Sequence, residues 1–223
     1  MVDVFGIKIP GDGEFEKLKE TLFSFIPPEN INQIVRFKNI NDKKRSLLGE
    51  VLCRKCLGEK LSIPSCDIEI KKTENGTPYL QEIHPDIFFN LSHSGDWVVA
   101  ALSEREIGLD VEKIKKPSYR IAERYFSTSE LDALNSLKDQ DKANYFYDLW
   151  TLKESYLKLL GKGLTKSLGS FSISGQHGNF QLINDNSGHR NVYFRQYNID
   201  PDYKFSVCSE DNKFSDNIHI LIP

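Results

Sequence analysis

Hydrophobic and polar residues alternate through Ile107-Gly108-Leu109-Asp110-Val111-Glu112, the period of a strand buried on one face, and both carboxylates project from the same side. Downstream, Trp150, Glu154 and Lys158 recur every fourth residue, which places them on one face of a helix predicted over Asn144 to Leu160. If that helix crosses the strand, Asp110, Glu112 and Glu154 converge and Lys158 stands one turn beyond. Three carboxylates without a neutralising partner repel one another and are costly to desolvate. A hard divalent cation removes that cost, and Mg²⁺ is commonly held by a few carboxylates together with substrate phosphates. The pattern points to metal-assisted chemistry on a phosphate.

The remaining pattern surrounds these two elements with further helices and strands. Period-2 stretches predict strands over Val2 to Ile9 and Asp67 to Lys72, and a strand-turn-strand unit over Phe88 to Leu102 with Gly95-Asp96 at its tip. Helical spacing marks Phe15 to Phe25, stopped by Pro27-Pro28, then Glu29 to Phe37, then Asn41 to Leu61 with Asn41 or Asp42 as its N-cap. Gly11-Asp12-Gly13 and Glu74 to Tyr79 read as turns. Ser103 to Glu106 is a polar break, which divides the chain into halves 1–105 and 106–223. After the acidic strand come a basic loop from Lys113 to Pro117, a helix over Ser118 to Tyr125, and Ser127-Thr128-Ser129-Glu130 with capping-box chemistry. Gly161 takes the C′ position of the Asn144 to Leu160 helix; the Gly161 to Leu164 turn follows a helix and is therefore no P-loop. Strands over Phe171 to Ser174, Phe180 to Ile183, Val192 to Ile199, Lys204 to Cys208 and Ile218 to Ile222 complete the chain, parted by turns at 176–179 and 184–188. Both halves mix helices with strands, which makes the fold class α+β.

Composition narrows the function. The 223 residues are 39% hydrophobic and 27% charged, the proportions of an ordinary globular protein. A net charge of −3 gives no global attraction to nucleic acid or to a membrane, so anion binding must come from local clusters. No stretch approaches ~18 consecutive apolar residues, and Met1 to Pro10 lacks the charge and apolar run of a leader, so a cytosolic protein is expected. Cys53 and Cys56 form a C-x-x-C inside a helical run with no second pair, and Cys66 and Cys208 are scattered; all four are read as structural free thiols.

At Ile107-Gly-Leu-Asp110-Val-Glu112 and Trp150-Thr-Leu-Lys153-Glu154-Ser-Tyr-Leu-Lys158 the sequence resembles the two signatures of the 4′-phosphopantetheinyl transferases. The likeness extends over nearly the whole chain to the surfactin-synthetase-activating (Sfp-type) branch, and Phe89 to Gly95 matches a third element, F-N-x-S-H-S-x. The resemblance implies a pseudo-twofold pair of similar α+β subdomains with the active site in the cleft between them. It implies Mg²⁺ as cofactor and coenzyme A as co-substrate. The metal ligands carried over are Asp110, Glu112 and Glu154. Arg45, Ser46, Asn75, Gly76, Thr77, Pro78, Ser92, His93, Lys153 and Lys158 would bind coenzyme A, whose phosphates suit hydroxyl, imidazole and ammonium donors. Amides at the start of the Asn41 to Leu61 helix would favour a phosphate as well.

The implied reaction moves phosphopantetheine from coenzyme A to a serine of an acyl or peptidyl carrier protein and releases 3′,5′-ADP. Such chemistry activates peptide or polyketide synthases, as in antibiotic biosynthesis and nonribosomal peptide synthesis. Glu154, directly or through a metal-bound water, would take the serine proton, and Lys158 would stabilise the leaving phosphate. Glu130 fits a helix cap or a metal contact. Tyr119, Tyr125 and Phe126 fit core positions or a carrier-docking patch. Thr77 stands where relatives usually have lysine, and Asn30 and Gln33 replace lysines near the 3′-phosphate, so weaker discrimination against 3′-dephospho-coenzyme A is expected. By resemblance the protein is a monomer with no nucleic-acid or membrane partner. A phosphodiesterase using the same carboxylates, or a non-catalytic coenzyme A- or carrier-binding module, are the alternative readings.

Overall fold

The computed structural model describes residues 1–74, 76–80, 86–161, 166–176, 179–185 and 191–223. In the first half β1 (Val2–Lys8) leads into α1 (Asp12–Phe23), α2 (Pro28–Ile34) and α3 (Ile40–Leu61). A small pair, β2 (Ile70–Lys72) and β3 (Pro78–Leu80), then precedes the β4 (Phe88–Ser94) and β5 (Trp97–Ser103) hairpin. The second half repeats that order. It runs β6 (Ile107–Lys113), α4 (Tyr119–Tyr125), α5 (Thr128–Ser136), α6 (Asp139–Leu159), the pair β7 (Ser172–Gln176) and β8 (Asn179–Ile183), then β9 (Tyr193–Tyr197) and β10 (Tyr203–Ser209).

Sheet order makes the repeat explicit. β5 lies antiparallel between β1 and β4, and β10 lies antiparallel between β6 and β9. Each sheet carries one long helix, α3 or α6. This is the α+β pair of similar halves. One strand breaks the symmetry: β11 (Phe214–Leu221) leaves the second half and pairs parallel with β1.

Alternation along the strands sorts side chains into three cores. On β5, Val98, Ala100 and Leu102 face α1 to α3 with Leu48, Leu52 and Phe15, while Trp97, Val99 and Ala101 face the second sheet. There they meet Ile107, Leu109 and Val111 of β6 and Phe205 and Val207 of β10. The third core lies under α6, where Leu149, Leu152 and Tyr156 pack with Phe171 and Phe194. The layers are thus helices, sheet, sheet, helices. Among the described residues no helix is long and apolar enough to cross a membrane.

Several element ends differ from the sequence pattern. The third helix begins at Ile40, because the Asn39 side chain accepts from the amides of Asn41 (2.8 Å) and Asp42 (3.4 Å) and caps it; Asn41 and Asp42 are inside the helix. The first helix starts at Asp12 rather than after a Gly11 to Gly13 turn, and the second stops at Ile34. The motif helix starts five residues before Asn144, since the polar run Asp139 to Lys142 carries acids in its first turn, where the helix dipole favours them. The last strand is eight residues long rather than a short terminal piece. Gly161, at φ 61°, follows α6 as a left-handed C′ residue, and the turn residues 162–164 lie outside the described residues, as do His84 and His177. Cys53, Cys56 and Cys208 are buried free thiols; burial, foremost, pushes Cys53 up to about 12.

With Ile107, Leu109 and Val111 committed to the inter-sheet core, Gly108, Asp110 and Glu112 are left on the α6 side of β6. A Cβ built on Gly108 would lie under 3.0 Å from three backbone atoms of α6: Ser155 O, Leu159 N and Lys158 C. Only a hydrogen fits, and the helix lies directly on the strand. Replacing Gly108 by Ala is expected to cost about 3 kcal/mol, the upper part of the usual range for overpacking. Gly13 of α1, with nothing within 4 Å of its would-be Cβ, is the control. Gly13→Ala should be neutral or stabilising by up to about 1 kcal/mol. Urea midpoints of the two variants check both outcomes.

Candidate active site

β4, β6 and α6 build the site at the seam between the halves. Asn90, Ser92 and Ser94 alternate along β4, and each reaches across to β6. Asn90 Oδ1 accepts from the Leu109 amide (3.4 Å), Ser92 Oγ donates to Asp110 Oδ1 (3.0 Å), and Ser94 Oγ donates to Glu112 Oε2 (2.7 Å) while accepting from the Lys113 amide (3.1 Å). Side chains take the place of a backbone ladder along this seam. From α6, Lys158 Nζ donates to Asp110 Oδ1 (2.7 Å) and to Ser92 Oγ (2.9 Å).

Electrostatics in this group are strained by burial. Asp110 is 5% exposed, and its second oxygen, Oδ2, is buried with no hydrogen-bond partner. Half-buried Glu154 is held above the usual carboxylate range, first by burial and then by the charge of Asp110, with Glu112 adding to it. Glu112 is pushed up in the same direction by burial and by Asp110, against the Ser94 hydrogen bond. An unpartnered buried carboxylate oxygen normally marks a group waiting for a cation or a donor. Among the described residues no three His, Cys, Asp or Glu side chains form a ready-made metal cage, and Lys158 is the cation that Asp110 holds. The donor set, hard oxygens around a bare buried Oδ2, fits Mg²⁺ better than a softer metal.

A cleft of about 430 Å³ opens in the first half, and its lining includes Phe37, Asp42, Arg45, Ser46, Glu50, Gly76, Pro78 and His93. Arg45 pairs with Asp42 (3.2 Å) and leans on the Gly95 carbonyl (3.4 Å). His93 is held below its usual pKa, first by burial and then by the positive charges of Arg45 and Lys158. It is therefore a neutral donor at pH 7 and sits within reach of both cations' fields. Arg45 and His93 line the cleft, and the charge of Lys158 is felt at His93.

Other residues singled out from the sequence fall differently. Lys153 does not face the cleft: it is 0% exposed, and its ammonium donates to both Glu130 oxygens (2.8 and 2.7 Å) and to Phe171 O (2.8 Å). All three of its donors are used, so none is left for a coenzyme A phosphate. Glu130 closes the capping box with Ser127 and accepts from the Ile173 amide (2.8 Å), which makes it a brace and not a metal contact. Ser92 is buried inside the carboxylate cluster, committed to Asp110 and Lys158, and is not a free phosphate donor on the cleft wall. Thr77 turns its amide to Thr73 Oγ1 (3.1 Å) and does not line the cleft. Asn75 lies outside the described residues. The amides that open α3 are taken by Asn39, which removes them as a phosphate site. Phe126 is buried in the core and Tyr125 packs edge-on to Trp150 at 6.0 Å, so only Tyr119 of the three aromatic candidates is exposed. Asn90, Ser94 and Gly108 were given no role from the sequence; the period-2 polar run of β4 and the glycine within an apolar strand were the available signals.

A buried acidic cluster with one paired lysine thus sits at the seam of two similar α+β halves, and the first half carries a cleft lined by Arg45 and His93 together with Asp42 and Glu50. A family model for the 4′-phosphopantetheinyl transferase superfamily matches residues 106–208, and one for the 4′-phosphopantetheinyl transferase N-terminal region matches residues 14–105. The 4′-phosphopantetheinyl transferase Sfp of Bacillus subtilis strain 168 is 38% identical over 202 residues, covering 91% of this chain and 90% of that protein. The transferase psf-1 of Bacillus pumilus is 34% identical over 220 residues, covering 98% and 94%. The transferase gsp of Aneurinibacillus migulanus is 35% identical over 209 residues, covering 94% and 86%. The chain belongs to the 4′-phosphopantetheinyl transferase family.

The raised carboxylates make a prediction with a definite sign. A carboxylate whose folded pKa exceeds its unfolded value costs stability when ionised, and the cost disappears once pH falls below the unfolded pKa. In the presence of EDTA, Glu154→Gln should therefore raise Tm at pH 7 by a few degrees, roughly what ~1 kcal/mol gives a chain of this size. The gain should vanish near pH 4. Thermal melts at the two pH values check it.

Proposed function

We propose that this enzyme transfers the 4′-phosphopantetheine group of coenzyme A to a serine hydroxyl of an acyl or peptidyl carrier protein, in the cytosol, with Mg²⁺ held by Asp110, Glu112 and Glu154. The observation that carries the metal assignment is the buried, unpartnered Asp110 Oδ2 amid two carboxylates whose pKa values burial and mutual repulsion raise. Bound there, the cation would supply charge neutralisation at the pyrophosphate.

The chain's own residues supply the rest. Arg45 and His93 orient the coenzyme A phosphates from the cleft wall, with His93 donating as a neutral imidazole. Ser46, Gly76 and Pro78 line the nucleotide end. The serine hydroxyl attacks the phosphorus that bears the pantetheine arm, an O–P bond forms, and the bond to the 3′,5′-ADP oxygen breaks. Glu154, whose raised pKa brings it nearer to the operating pH of a base, takes the serine proton directly or through one water. Lys158 meets the negative charge that collects on the departing 3′,5′-ADP. Lys153 keeps Glu154 in place through its bonds to Glu130 and Phe171 and touches no reactant.

Asp110→Asn and Glu154→Ala should each lower transfer by about 10²-fold or more, the scale of losing one electrostatic or acid–base group. Far-UV circular dichroism should remain that of the parent. The readout is mass spectrometry of an apo carrier protein incubated with coenzyme A. A gain of one phosphopantetheine supports transfer, whereas hydrolysed coenzyme A with an unmodified carrier supports a phosphodiesterase. Activity that survives excess EDTA refutes the metal assignment. With Thr77 off the cleft wall, the ratio of KM for 3′-dephospho-coenzyme A to that for coenzyme A should be smaller by up to about fivefold than in a relative with lysine there, the worth of one screened charge contact.

A further inference from the structure

The cleft of the first half is walled by α3, by β4 and by the β2–β3 hairpin, and its ionisable side chains are not equally free. On α3, Arg45 pairs with Asp42 at 3.2 Å, and Glu50 accepts from the buried Arg54 at 3.0 Å, so both cleft-lining carboxylates already have a cation. On β4, His93 is held below its usual pKa, first by burial, and is neutral at pH 7. Lys72 of β2 is the remainder. It lines the cleft and is exposed, and among the described residues its ammonium has neither an ion pair nor a hydrogen bond. An anion entering the cleft therefore meets one uncompensated positive charge, and meets it on the hairpin.

Strand geometry decides which residue of the hairpin supplies that charge. Ile70 and Lys72, two apart on β2, share the face that lines the cleft, and Lys71 between them belongs to the other face. Across the ladder Lys72 lies opposite Pro78, which lines the cleft with Gly76, whereas Thr77 turns its amide to Thr73 and is not in the lining. A lysine thus stands one strand over, on the wall that position 77 leaves without one. Gly76 and Pro78 line the nucleotide end in the preceding section, and at that end coenzyme A carries a phosphate monoester on its ribose, apart from the pyrophosphate. Resting on that reading, we infer that Lys72 is a specificity-determining residue for the ribose 3′-phosphate, so that the preference for coenzyme A over its 3′-dephospho form that survives without a lysine at 77 is set from β2. An ammonium on a flexible stem suits the task, since it meets a phosphate as a point charge and needs no fixed fork geometry. Salt weakens such a contact, because the side chain is exposed.

Isothermal titration of the intact protein with coenzyme A and with 3′-dephospho-coenzyme A, at low salt, fixed Mg²⁺ and without carrier protein, tests the assignment. The parent should bind coenzyme A the more tightly. Lys72→Met should weaken coenzyme A binding by about threefold to fivefold, the worth of one exposed charge contact, and leave binding of the 3′-dephospho form as in the parent. Lys71→Met removes the same charge from the opposite face and should alter neither affinity. Lys72→Arg should keep the parent's ratio, and Lys72→Gln is the second neutral variant should Lys72→Met not fold. An equal loss for both ligands in the neutral variant, no loss for either, or a loss as large in Lys71→Met or in Lys72→Arg overturns the assignment and leaves the coenzyme A reading standing. So does a parent that binds the two ligands equally. Failure of the parent to bind coenzyme A at all refutes the reading of the preceding section and takes the role of Lys72 with it.

Discussion

The backbone-to-backbone approach of α6 onto β6 at Gly108 is the constraint on which the site depends. A side chain at that position would push the helix off the strand, and Asp110 and Glu112 could no longer share a space with Glu154 and Lys158. The reach of carboxylate and lysine side chains is short compared with the ordinary 10 Å separation of packed layers. Close approach therefore turns two elements that merely pack into one electrostatic unit. Apolar side chains on the other face of β6 hold this in place, because Ile107, Leu109 and Val111 fill the core between the sheets. Slippage of β6 by one residue would bury Asp110 and Glu112 in that core and is excluded by the cost of desolvating them.

The second dependence is the β4 to β6 seam. The edge strands of the two sheets meet there through Asn90, Ser92 and Ser94, three short polar side chains on one face of β4. Short hydroxyls serve two ends at once. They give each carboxylate of β6 a donor from β4, and they leave little bulk between the halves. The charge of the cluster is thus stabilised by the half of the chain that carries the cleft. Arg45, on the long helix of the first half, also leans on the turn that joins β4 to β5.

Much of this was legible in the amino-acid order. Alternation in β6 and the four-residue spacing in α6 gave both elements and the faces they share, since period is a direct consequence of backbone geometry. Boundaries were less legible. Asn39 caps α3 from a position that shares its chemistry with Asn41 and Asp42, and short-range pattern cannot choose among three adjacent cap formers. The repeat of strand order between the halves was invisible as sequence similarity but plain in the pairing, because sheet order depends on which edges meet and not on residue identity. The parallel pairing of β11 with β1 joins the two ends of the chain, and no local pattern records a partner that far away. The buried role of Ser92 was missed for a related reason: a hydroxyl beside a histidine in a phosphate-binding signature looks the same whether it faces the ligand or the carboxylate behind it.

Lys153 and Lys158 show how a helix assigns opposite work to the same residue type. Five residues at about 100° each set their side chains roughly 140° apart around α6. One therefore points into the second half and the other toward the first. Lys153 meets Glu130, and burial lowers its pKa while the carboxylate opposes that fall. With every donor satisfied, the pair ties the start of α5 and the strand β7 to the helix that carries Glu154. A buried pair of this kind is costly to break because the survivor is left charged and unpaired, about 3–5 kcal/mol in comparable cases. Its contribution is rotational register, which no surface contact on α6 could fix as firmly. Lys158 has the opposite surroundings: it pairs with Asp110, and its side chain is 30% exposed. Two lysines of one helix thus carry the same charge into different settings, and burial, not sequence, separates the sealed brace at Lys153 from the solvent-reached pair at Lys158.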